Sequence, residues 1–171
     1  MTTIALYTTS QTRQIDRVAI EEFGIAGLAL MERAGRAAFD WITQEYGFAA
    51  SVLVLCGNGN NGGDGYVVAR LLREIGIQVQ VIATGEPDTA DAATVYRHYL
   101  DAGGAFRKVS SEDLPAADLI IDGLLGSGLS RAPAGPYAEL VNKANNAGCP
   151  VVALDLPSGL SGDTGSAFEP C

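Results

Sequence analysis

Three apolar runs limit what this chain can fold into. "ASVLVLCG" (50–57) is continuous rather than alternating, and "ADLIIDGLLG" (117–126) and "CPVVALDLPSG" (149–159) behave the same way. A strand with one wet face alternates apolar and polar residues, so continuous runs of this length predict strands buried on both faces. Between and around them lie stretches with helical spacing. "GYVVARLLREIG" is apolar at Val67, Val68, Leu71, Leu72 and Ile75, and "TADAATVYRHYLDAGG" is a second such stretch. "GPYAELVNKANNAG" opens with Pro136 and closes with Gly148, as helices do. "IQVQVIATG" and the short "AFRKV" complete the strand set. Strands alternating with helices predict a mostly parallel sheet covered on both faces. The expected fold class is therefore α/β: a Rossmann-like, doubly wound sheet with the Cys56 strand central. A helical pair precedes it. "SQTRQIDRVAIEEFG" has Ile15, Val18, Ala19 and Phe23 at helical spacing, and "IAGLALMERAGRAAFDWITQEYG" has Leu28, Leu30, Met31, Ala34, Ala38 and Trp41. The small residues Ala34, Gly35, Ala37 and Ala38 suit close helix packing, and Trp41 reads as core or interface filler.

Bulk properties remove several function classes. A length of 171 residues predicts one domain, residues 1–171, and 47% hydrophobic content is enough for a core. The net charge of −9 comes without any basic stripe, so no nucleic acid and no anionic membrane surface is expected as partner. No apolar run approaches membrane-span length and no signal peptide is visible, which predicts a cytoplasmic protein. Cys56, Cys149 and Cys171 lack metal-site or redox-motif spacing, and Cys56 and Cys149 are expected as buried small hydrophobes. His98 falls on a predicted helix away from the ligand edge and is expected at the surface.

In an open α/β sheet, ligands bind beyond the carboxyl ends of the strands. Three stretches qualify: Gly57–Gly65, Asp122 with "GLLGSGLSR", and Asp155 with "LPSGLSGDTG". Each combines Gly with Ser or Asn and has one Asp at or near a strand end. The first has glycines at G-x-G-x-x-G spacing (Gly57, Gly59, Gly62), yet no Lys completes a phosphate loop and the acid expected on a ribose is badly placed, Glu86 being nearest. Asp64, expected in the first turn of the following helix, favours the helix dipole and repels a pyrophosphate lying there. Its plain role is a capping carboxylate; its sharper role is to face substrate or cation. The amide oxygens of Asn60 and Asn61, with Asp and Ser oxygens, suit a hard cation.

On the motifs "GNGNNGGDGYVVARLL" (57–72), "DGLLGSGLSR" (122–131) and "LDLPSGLSGDTG" (154–165), with "ALMERAG" at 29–35, the chain resembles the NAD(P)H-hydrate epimerases, the family of the YjeF N-terminal domain. The resemblance runs from about residue 10 onward. It implies an isomerase of metabolite repair that interconverts the R and S epimers of hydrated NADH or NADPH, so that a dehydratase can restore the cofactor. By motif position it implies a substrate loop of Asn60, Asn61, Gly62, Gly63 and Asp64. A second would be formed by Gly126, Ser127, Gly128, Leu129, Ser130, Arg131 and Ala132, and Asp155 would be a substrate-contacting acid. It implies a potassium (K+) site at Asn61, Asp122 and Ser158. Arg131 is the one cation in the second and third motifs and reads as a phosphate contact.

Epimerisation at the hydrated carbon needs an acid/base, and Asp155 is the first expectation, Asp64 the second. The resemblance also implies a homodimer through the early helices, a possible fused C-terminal dehydratase domain, and further strand and helix elements after Cys171, whose absence would expose a sheet edge. Two other readings are weighed. One is a non-catalytic scaffold or dimerisation module of the same fold, disfavoured by the intact Asn60, Asn61, Asp64, Asp122, Asp155 and Ser158. The other is an ordinary nicotinamide oxidoreductase, disfavoured by Asp64 and the missing ribose acid.

Overall fold

A computed structural model describes residues 6–47 and 49–171. Five strands form one all-parallel sheet: β1 (Ser51–Cys56), β2 (Gln78–Ala83), β3 (Phe106–Lys108), β4 (Leu119–Gly123) and β5 (Val151–Ala153). Their order is β3-β2-β1-β4-β5, so the Cys56 strand is central as expected. The order reverses direction between β1 and β4. A ligand crevice therefore opens between those two strand ends.

Five helices accompany the sheet: α1 (Thr9–Glu21), α2 (Gly27–Glu45), α3 (Asn60–Glu74), α4 (Ala90–Asp101) and α5 (Pro136–Asn145). Strand period decides which face each apolar residue serves. Val52, Val54 and Cys56 of β1 join the core beneath α2, α3 and α4, whereas Leu53 and Leu55 join the smaller core beneath α5. Both faces are apolar, and that is why the run "VLVLC" does not alternate. Cys56 is fully buried, and burial pushes its thiol pKa up, so it is a core residue. Cys149 is only half-buried at the margin of the α5 core.

The expected close helix packing is present. Gly35 of α2 is buried against α3, where an added Cβ would stand 2.5 Å from Val67 Cβ and Cγ1. Gly35→Ala should therefore lower stability by about 1–3 kcal/mol through overpacking, partly offset by better helix propensity. A lower thermal midpoint checks this, and an unchanged or raised one refutes it.

Four expectations need correction. First, the helix after β1 begins at Asn60, so Asn60–Gly65 are helical rather than loop. Asp64 consequently lies beyond the first turn and caps nothing; the N-cap position is Gly59. Second, β5 is not a buried strand: Val151 is 42% exposed, because β5 is the outermost strand on its side of the sheet. Third, Trp41, expected as core or interface filler, is 50% exposed and lines the cavity described below, so it is not a core residue. Fourth, α1 has helical spacing but no buried residue among those described, with Ile15, Ile20 and Phe23 open to solvent. It is attached instead by polar contacts. Thr8 caps it reciprocally with Gln11, and Thr9 donates through both its N–H and its hydroxyl to the Asp163 carboxylate, each at 2.8 Å. His98 is on α4, about half exposed, 3.5 Å from Glu32. No helix among the described residues is long and apolar enough to cross a membrane.

Candidate functional site

A cavity of about 1170 Å³ opens at the carboxyl ends of β1, β4 and β5. Its polar end is lined by Asn60, Asn61, Asp64, Asp155 and the loop Leu124–Arg131, and its apolar end by Ala38, Trp41, Tyr46 and Val151–Leu154. This volume suits a ligand larger than a single nucleotide base. Helix α1 contributes Thr12, Arg13 and Asp16 to the wall.

Bare backbone creates the crevice. A Cβ on Gly57 would overlap the Leu124 carbonyl, and one on Gly62 would overlap the Gly57 carbonyl. A Cβ on Gly63 would press on Met31 of α2. Gly62 and Gly63 are buried and lie outside the cavity wall, so their visible work is to let α3 start tight against the turn that follows β1. The chain is pinned on both sides of that turn. Tyr137 of α5 accepts from the Asn58 N–H at 3.2 Å, and Thr84 after β2 donates to the Asn58 side chain. Asn60 accepts from the Thr89 hydroxyl at 2.7 Å, which ties the first residue of α3 to the N-cap of α4.

At the cavity floor, Asn61 and Ser158 bond to the backbone of Leu125, and Asp122 lies behind them, bonded to Ser158 and to the Leu124 N–H. Asn61 Nδ2 donates to the Leu125 carbonyl at 3.0 Å, and the Leu125 N–H donates to Ser158 Oγ at 2.9 Å. The Ser158 hydroxyl donates to Asp122 Oδ1 at 2.7 Å, and its N–H donates to Asp122 Oδ2 at 2.9 Å. The Leu124 N–H donates to Asp122 Oδ1 at 3.0 Å. Asp122 and Ser158 are both buried. Burial pushes the Asp122 carboxyl pKa up, and the bonds from Ser158 and Leu124 oppose that shift without cancelling it. Asn61 Oδ1 is buried with no partner among the described residues. An orphaned amide oxygen beside a buried carboxylate, a hydroxyl and a backbone carbonyl fits a monovalent cation, which takes oxygen donors of low total charge.

Above that floor stand two more carboxylates. Asp64, partly buried on α3, has its carboxyl pushed up to about 7, first by burial, then by the negative charges of Asp155 and Asp16. Asp155 follows β5, is exposed, and accepts from the Ser127 N–H at 2.6 Å. Its backbone has φ +62, the only described non-glycine residue with positive φ. Asp and Asn take this left-handed conformation more readily than other side chains. Gly126 leaves room for the Asp155 carboxylate, which a Cβ there would overlap. Arg131 lines the cavity and is exposed; Ala132 is exposed and lies outside the wall.

The residues that the sequence reading missed come mostly from outside its three motifs: Thr12, Arg13 and Asp16 on α1, Thr89, and Tyr137. Helical spacing on α1 was legible only for its apolar residues. The polar residues Thr12, Arg13 and Asp16, at i, i+1 and i+4, carried no pattern that distinguishes a site from a wet face.

Known proteins share this architecture and sequence. The crystal structure of yeast ynu0, YNL200c, superposes with a TM-score of 0.87 at 22% identity, covering 98% of this chain and 76% of that one, which supports the fold. A relative in Escherichia coli, named bifunctional NAD(P)H-hydrate repair enzyme Nnr, is 43% identical over 90% of this chain and 30% of its own length. One in Rhodopirellula baltica, named NAD(P)H-hydrate epimerase, is 40% identical over 95% of this chain and 68% of its own length. The chain thus spans less than a third of the bifunctional relative. The model of the YjeF-related protein N-terminus matches residues 27–171, and the chain belongs to that family.

Proposed function

We propose that this chain is an NAD(P)HX epimerase, binding hydrated NADH or NADPH in the cavity and interconverting its R and S forms. The observation that carries this reading is a carboxyl group raised to about 7, Asp64, beside a second, exposed carboxylate, Asp155, in one wall of a dinucleotide-sized cavity. The relatives named as NAD(P)H-hydrate epimerases or repair enzymes support it.

Inversion at the hydrated carbon requires that the hydroxyl leave and return on the other face. Protonated Asp64 donates its proton as the C–O bond breaks, and water departs. Water then adds to the opposite face and gives a proton back to the carboxylate, so the catalyst is regenerated and nothing is consumed. A group that holds a proton near neutral pH can work in both directions. Asp155 is oriented by the Ser127 N–H, and its charge adds to the burial that chiefly keeps Asp64 protonated. Ring opening and closure is the alternative route: Asp155 takes the hydroxyl proton as the C–N bond breaks, protonated Asp64 gives its proton to the released nitrogen, and closure on the other face of the carbonyl returns both protons.

Asn61, Asp122 and Ser158, with the Leu125 carbonyl, are the residues that would hold a potassium ion. When bound, it would offset the Asp122 charge and fix the loops after β4 and β5 relative to α3. Localisation in the cytoplasm, a homodimer through the exposed apolar face of α1, and a dehydratase fused beyond this domain belong to the same reading. The bifunctional relatives support the last.

The test starts from one purified epimer of NADHX or NADPHX and follows the other by chromatography, with potassium and with tetramethylammonium in its place. Interconversion well above the blank, slower without potassium, is the expected outcome. A rate equal to the blank in both salts refutes the enzyme and leaves the scaffold reading of the same fold.

A further inference from the structure

Five charged side chains line the cavity: Asp16, Asp64 and Asp155 against Arg13 and Arg131. A dinucleotide carries a dianionic diphosphate, and the Asp16 and Asp155 carboxylates repel it. The ligand must therefore lie so that its phosphates meet the arginines. Arg131 is in a family motif; Arg13 comes from α1, outside every motif, and its placement is specific. Its Nη2 is 3.4 Å from the Ser127 carbonyl and would stand 3.6 Å from a Cβ placed on Gly128. Nothing else lies within 4 Å of that Cβ position, so the bare Gly128 backbone and the guanidinium are two sides of one open slot.

The loop facing Arg13 has donors to spare. The Ser127 N–H is taken by Asp155, that of Leu129 by the Gly126 carbonyl, and that of Leu125 by Ser158. The N–H groups of Gly128 and Ser130 make no hydrogen bond within the described residues. The Arg13 bond to Ser127 is long and goes to a neutral carbonyl, so an anionic oxygen would displace it readily. The helix that carries Arg13 is held at its start by the paired Thr9–Asp163 bonds, which present the guanidinium to the loop.

We propose that Arg13 is a ligand-binding residue that clamps the substrate's diphosphate against the Gly126–Arg131 loop. This rests on the cavity being the dinucleotide site. Because Arg13 is exposed, the expected effect is moderate, about tenfold. It acts on binding rather than on the bond-breaking step: in Arg13→Ala, KM for NAD(P)HX rises about tenfold while kcat stays within about twofold.

The separate test uses ADP-ribose, which carries the diphosphate without the nicotinamide ring, titrated calorimetrically into the full chain and three variants. Arg13→Ala and Arg13→Gln should each weaken binding about tenfold, and Arg13→Lys should recover part of it. Wild-type affinity should fall with added salt more steeply than that of Arg13→Ala. Gln can still donate to the Ser127 carbonyl, so a Gln variant as tight as wild type would mean that Arg13 only pins α1, and the proposal fails. It fails equally if Arg13→Ala binds ADP-ribose as wild type does, or if wild type does not bind it. Charge-dependent binding in a protein that leaves the epimers alone would keep the phosphate subsite and remove the reaction. Normal interconversion with an unchanged KM in Arg13→Ala would remove the subsite alone.

Discussion

Asp64→Asn is expected to slow epimer interconversion by about 10²–10⁴-fold, the usual contribution of a positioned proton donor, while the protein remains folded. The same substitution should change stability with a defined pH dependence. The folded-state pKa of Asp64 is raised, from 3.8 to about 7. Between those values the native state holds a proton that the unfolded chain has released, so stability falls as pH rises through this window and levels off above it. Asparagine never ionises. Asp64→Asn should therefore match wild type at about pH 4 and exceed it at pH 8, by on the order of a few kcal/mol at most, since the group keeps some solvent contact. Denaturant melts at the two pH values read the stability arm, and single-turnover conversion reads the chemical one. A variant that turns over normally removes Asp64 from the mechanism. Equal stability gains at both pH values would mean that Asp64 does not titrate as its surroundings dictate. Asp155→Asn should also abolish most activity, and it should lower the pKa that governs the remaining rate by removing one source of repulsion.

Gly62→Ala should be the most damaging single methyl in the chain. Its Cβ would overlap the Gly57 carbonyl, and Gly57 itself is packed on the Leu124 carbonyl, so three backbone segments would have to move together. Backbone cannot rotate aside as a side chain can. A loss above about 4 kcal/mol is expected despite the gain of about 1 kcal/mol in helix propensity, with a thermal midpoint lower by about 10 °C or more. Gly59→Ala is the matched control. Gly59 precedes the same helix with nothing within 4 Å of its Cβ position, and it should cost about 0.5–1 kcal/mol. Similar melting curves for the two variants would show that the contact at Gly62 does not limit the fold.

The sheet was legible because its strands obey one rule. Residues buried on both faces must all be apolar, and "VLVLC" and "LII" are. The rule misreads β5, since an outermost strand can carry the same letters with half the cover. The start of α3 was illegible for a related reason. Gly62, Gly63 and Gly65 lower helix propensity and read as loop, and only the approach of Gly57, Met31 and Cys56 explains why side chains are missing there. That approach is tertiary and leaves no local trace. Of the candidate site, Asp122 and Ser158 were recoverable in principle from the strand-end rule, and their side chains do touch. The α1 wall was not recoverable, because a surface helix needs polar residues whether or not it faces a ligand. Asp64 was found, but with the wrong expectation of its surroundings: a first-turn carboxylate would be stabilised as an anion, whereas one further along α3 meets burial and two other acids.

The left-handed backbone at Asp155 narrows which sequences can occupy that position. Glycine and asparagine tolerate the torsion and lack a charge; glutamate has the charge but not the short side chain that makes the torsion cheap. Aspartate alone satisfies both demands. Under the proposed mechanism, exchange to glutamate therefore costs torsion and exchange to asparagine costs charge, so the usual conservative swap of one acid for the other is not neutral here.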